Sequence, residues 1–166
     1  MEYDLEYMQE HCIDVFFKYG NKPFHVLTYG TVIPRALNNV ETNRSLQHQI
    51  AVDVSGLQIP REVHIEQEYV TTIRRDSIQA SGEYAGDEEL PPNENVVVQM
   101  FKPMAELGFY SYDCIEELDD RMGLYRLVAY PEGVIMAPEY KDLPEFAGID
   151  VVEQDENRGV IISFKM

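Results

Sequence analysis

The residues of this chain that could act as nucleophile, base or metal ligand are few: two cysteines, Cys12 and Cys114, and four histidines, His11, His25, His48 and His64, set among thirty acids. A thiol needs a nearby base or a positive dipole to become thiolate at neutral pH. Cys114 follows Asp113 at the expected start of a helix, where the dipole lowers a thiol pKa, and His25 lies in an expected strand that could pass nearby. Asp113, Glu116, Glu117, Asp119 and Asp120 crowd the same segment and push the pKa the other way, which favours a structural thiol. Cys12 falls on the apolar side of the first periodic segment and reads as a small hydrophobe.

No other motif supplies chemistry. The chain has no phosphate loop, dinucleotide glycine pattern, HExxH, nucleophile elbow or EF-hand loop. His11 and Cys12 are adjacent, so on a helix their side chains diverge, and the four histidines are scattered along the sequence. Glu116, Glu117, Asp119 and Asp120 lack the glycine and alternating oxygens of a calcium loop and read as a solvated face. Neither a metal nor a cofactor is expected.

Aromatic residues give a different lead. Tyr110 and Tyr112 flank Ser111 and would share one face of a strand, with Phe109 on the other. Core packing is the plain reading, but tyrosines bordered by acids are also how protein-binding surfaces are built. Phe109, Tyr110, Tyr112, Glu116, Glu117, Asp119 and Asp120 are therefore the candidate binding residues. A second candidate is a pocket using His25, Tyr29 and Cys114, where Gly30 would let a ligand approach backbone closely.

Charge sharpens the first candidate. Net charge is -17, and residues 83–122 hold eleven acids and two bases, whereas residues 21–50 hold three bases and one acid. Such a balance repels phosphate backbones and anionic lipid and favours basic partners. The start MEYDLEYMQE resembles no secretory signal, and no apolar run approaches the ~20 residues of a membrane span. Two cysteines without paired spacing fit a reducing compartment, so a soluble cytoplasmic protein is expected.

The elements that must position these residues suggest an α+β fold, with amino-terminal helices on a mostly antiparallel sheet whose strands come mainly from the second half. Spacings of three and four from Leu5 to Tyr19 predict a four-turn helix ended by Gly20, Asn21 and Pro23. FHVLTYGTVI, residues 24–33, predicts a strand bent at Gly30. Residues 35–54 predict a helix, and a further helix is expected from Pro60 to Ile78. Residues 80–95, with five acids and two adjacent prolines, read as an exposed loop within a single domain spanning 1–166. Val96–Phe101 predicts a strand, Asp113–Arg121 a short helix, residues 124–136 a hairpin turning at Pro131–Gly133, and Gly159–Lys165 a strand.

The working expectation is a non-enzymatic domain that binds a basic protein, as acidic inhibitors and nucleic-acid mimics do. The alternatives are a small enzyme or ligand-binding domain with its pocket near His25, and a homodimer formed through an exposed strand, such as the carboxy-terminal one. Direct nucleic-acid binding is not expected.

Overall fold

The computed structural model describes residues 1–58, 61–66, 96–118, 122–133, 140, 142–155 and 159–165. Its first element, α1 (Leu5–Glu10), is capped by Asp4, whose carboxylate accepts the Tyr7 N–H at 2.8 Å. Here the expected four-turn helix is corrected, because Cys12–Tyr19 is a strand, β1. Val15, Phe16 and Phe17 are all buried, on both faces of the sheet. A strand covered on both sides loses its polar alternation, so its apolar residues can imitate helical spacing. Gly20 and Asn21 are not a helix stop but the two-residue turn into β2 (Lys22–Tyr29), with Gly20 at φ 59°. Glycine tolerates that left-handed backbone at no steric cost.

The expected second helix is present as α2 (Val40–Gly56), where Asn39 caps the N–H of Thr42 at 2.9 Å. Two further expectations reverse. Val63–Ile65 forms a strand, β3, and Val96–Leu107 forms a helix, α3, with Pro103 inside it. Burial of Phe101, Ala105 and Leu107 against the sheet outweighs the β-preference of the valines and the proline's lost hydrogen bond. Tyr110–Glu117 is a strand, β4, so the strand expected at Tyr110 and Tyr112 continues through Asp113–Glu117, where a helix is expected from the sequence. The remaining strands are β5 (Gly123–Pro131), β6 (Ile149–Asp155) and β7 (Gly159–Phe164). The loop at 80–95, the course of the chain from 67 to 78 and the second arm of the 124–136 hairpin lie outside the described residues.

The seven strands among the described residues join one sheet in the order β1-β2-β4-β5-β7-β6, with β3 alongside β5. Every pairing is antiparallel except β2 with β4. This is the mostly antiparallel α+β arrangement expected, with four of the seven strands in the second half. The sheet curls strongly. β1 and β7 stand four spacings apart, about 19 Å if flat, yet the rings of Phe17 and Phe164 meet at 5.8 Å. Lys18 of β1 also bridges to Glu145, just before β6. The concave side holds the larger core, including Phe17, Phe24, Tyr112, Tyr125 and Phe164. On the convex side α2 meets Phe16 and Phe109, while α3 meets Leu27 and Val128.

Candidate functional site

Two polar arrangements stand out. In the first, three neighbouring strands each contribute one residue on the convex side: Asp14 from β1, His25 from β2 and Ser111 from β4. His25 and Ser111 are register partners. The imidazole Nδ1 lies 2.6 Å from Ser111 Oγ, and Nε2 lies 2.8 Å from Asp14 Oδ1. A carboxylate only accepts, so in the neutral ring Nε2 carries the hydrogen and Nδ1 receives the serine hydroxyl.

The composition is that of a hydrolase triad, but the accessibility is inverted. A nucleophilic serine must meet substrate while its carboxylate is held away from water. Ser111 is 0% exposed, whereas the Asp14 side chain is 41% exposed. His25 is itself buried between the rings of Phe16 and Phe101. The arrangement is a satisfied buried cross-link tying three strands together, not a site of attack.

The second arrangement opens to solvent. Because β2 and β4 run parallel and β1 is antiparallel to β2, the end of β2, the end of β4 and the start of β1 converge. There a cleft of about 310 Å³ is lined by Gln9, Glu10, His11, Tyr29, Gly30 and Glu117. Tyr29 is 71% exposed, the most open aromatic among the described residues. His11 stacks on Tyr7 with ring centroids 3.9 Å apart, and its Nδ1 sits 2.9 Å from the Tyr7 carbonyl. That carbonyl can only accept, so neutral His11 is left with an acceptor at Nε2. Gly30 has φ 69°. A β-carbon there would stand 3.5 Å from the Gln9 carbonyl oxygen and 3.9 Å from Glu117 Oε2. Two acceptors thus converge over a floor that glycine keeps open. Among the described residues the lining holds two carboxylates and neither lysine nor arginine.

The structure distributes the residues singled out from sequence as follows. Phe109 is 0% exposed and lies edge-on to Phe16; Tyr112 is buried against Phe24. Tyr110 is half-buried, stacked between Phe24 and Tyr130 beneath the Lys22 ammonium. As surface anchors Phe109 and Tyr112 are therefore corrected, because both are buried in the core, whereas Tyr110 packs half-buried against it. Glu116 and Glu117 are exposed as expected, while Asp119 and Asp120 lie outside the described residues. Of the alternative trio, Tyr29 lines the cleft and His25 does not. Cys114 lies close to Tyr29, whose backbone bonds to its sulfur. It occupies a strand, so it gains no helix dipole, and burial pushes its thiol up despite partial relief from the Tyr29 and Glu116 backbone.

Glu10 and His11 were not singled out as one site. The GN pair between FFKY and KPF is a two-residue hairpin signal that would have brought His11 beside Tyr29. Among the described residues no three His, Cys, Asp or Glu side chains gather to hold a metal, and no helix is long and apolar enough to cross a membrane. No protein-family model, curated protein or solved structure matches this chain.

Proposed function

We propose that this chain is an interaction domain for a basic protein partner, which it engages at the converging ends of β1, β2 and β4. The observation that supports this most is the cleft itself, lined by an open tyrosine and by Glu10 and Glu117, with exposed Glu116 next to Glu117 and, among the described residues, no basic side chain in its lining. Aromatic area supplies affinity at low entropic cost, and the carboxylates steer a cationic partner toward it. Two free thiols, separated by β2, suit a reducing cytoplasmic setting.

Self-assembly through the carboxy-terminal strand fits less well. β7 is flanked by β5 and β6, so among the described residues the edge on that side of the sheet is β6. That edge carries a bulge between Val151 and Glu153 and the acids Asp150, Glu153 and Asp155. Bulges and like charges both oppose edge pairing.

The test separates location from total charge. Binding of an arginine- and lysine-rich peptide is measured for Glu116→Lys/Glu117→Lys and for Glu132→Lys/Glu145→Lys, which changes net charge equally at exposed positions elsewhere. The first pair should weaken binding at least about tenfold more than the second. Equal losses from the two pairs would mean that general attraction, not this site, accounts for binding.

A further inference from the structure

The cleft presents acceptors in a particular arrangement, and from it we infer that the group it takes is the guanidinium of a single arginine side chain, stacked on Tyr29. This rests on the interaction reading above and names the chemistry at its centre.

Glu10 and Glu117 supply anionic oxygens, the Gln9 carbonyl lies on the Gly30 floor with Glu117, and His11 has its Nδ1 engaged with Tyr7. The carboxylates and the backbone carbonyl only accept, so a ligand that meets them must bring several donors. It must also bring positive charge, since desolvating two carboxylates without a counter-charge is costly. Both lysine and arginine satisfy those conditions. Arginine alone adds a flat face and a planar fork of five N–H donors, matched to a carboxylate on one side and to an aromatic face on the other. Tyr29 offers such a face, 71% exposed, and the missing β-carbon of Gly30 leaves the plane between Gln9 and Glu117 free. A compact, strongly hydrated ammonium would use the charge but leave the ring and much of the 310 Å³ unfilled.

The test is an NMR titration of the whole chain with N-acetyl-arginine amide, N-acetyl-lysine amide and N-acetyl-citrulline amide at one ionic strength. Citrulline keeps the shape of arginine and removes its charge. Arginine amide should shift the Tyr29, Gly30 and Glu117 amides and bind about tenfold more tightly than citrulline amide, with lysine amide between them. Tyr29→Leu should cost arginine about three- to fivefold and change lysine less, and Glu117→Gln should weaken both cations. Unchanged amide dispersion in each variant shows that it remains folded. Equal binding of arginine and citrulline, equal binding of arginine and lysine, or arginine shifts that avoid Tyr29 and Gly30 would overturn the inference. The interaction reading would survive those results if Glu116→Lys/Glu117→Lys still weakened the basic peptide more than its control pair. If that difference vanished too, both would fall.

Discussion

At the scale of single residues, His25 shows how a composition associated with catalysis can serve cohesion instead. Its two hydrogen bonds leave neither ring nitrogen unsatisfied in a core where an orphaned polar atom is costly. Ser111→Ala removes the partner of Nδ1 inside the protein, and a loss of about 1–3 kcal/mol is expected in urea unfolding. Asp14→Asn keeps an oxygen that can accept from Nε2 at a half-exposed position, so it should cost less than Ser111→Ala. A neutral Ser111→Ala would mean that the cross-link contributes nothing. The cysteines carry a second expectation. Burial pushes both thiols up, with Asp14 and Asp113 adding to the effect at Cys12. Both should therefore alkylate more slowly than free cysteine at pH 7 and speed up as pH rises past 9, exposed Cys12 leading half-buried Cys114. Rapid labelling of Cys114 at pH 7, read by mass spectrometry, would contradict its placement and favour a reactive pocket.

At the scale of elements, the turn at Gly20 and the proline in α3 are the sharpest tests. Gly20 has φ 59° and open space around it, so Gly20→Ala should cost about 1–2 kcal/mol through backbone strain alone. Pro103→Ala should restore a helical hydrogen bond and stabilise by about 1–3 kcal/mol. Destabilisation instead would show that the ring packs usefully against its surroundings. These two positions also mark where sequence patterns were and were not legible. α2 is readable from its helical spacing, and β2 and β7 from runs of β-branched and aromatic residues. β1 and α3 were misread for opposite reasons: β1 is buried on both faces and mimics a helix, whereas the valines of α3 suggest a strand and only tertiary burial of Phe101 and Ala105 decides for helix. The candidate site was legible in fragments. Tyr29 and Gly30 belong to the expected pocket and Glu117 to the acidic group, while Glu10 and His11 fall in a segment whose spacing suggests a longer helix than the one that ends at Glu10. Uniting them requires the parallel β2–β4 pairing, which brings Leu27 opposite Asp113 across eighty-five intervening residues and leaves no local trace.

At the scale of the whole molecule, charge and buried phenols govern behaviour. Burial raises Tyr112 and Tyr125 well above the ordinary tyrosine range near 10. Below pH 10 both folded and unfolded chains keep these protons, and stability is unaffected. Above it the unfolded chain releases protons that the folded chain retains, so stability falls by about 1.4 kcal/mol per pH unit for each phenol. Alkaline unfolding followed by circular dichroism should coincide with the late-titrating tyrosines, and a smooth titration of all eleven tyrosines near pH 10 without unfolding would contradict the core described. The excess of acids also opposes compactness through self-repulsion, and the proposed function has the carboxylates around the cleft steer a cationic partner to that end of the sheet. The most direct test of that central claim is to map a basic peptide onto the protein by amide chemical-shift perturbation. The account predicts shifts concentrated at Gln9–His11, Tyr29–Gly30 and Glu116–Glu117. Shifts spread evenly over exposed acids such as Glu41, Glu132 and Glu145, with none larger at the cleft, would contradict it.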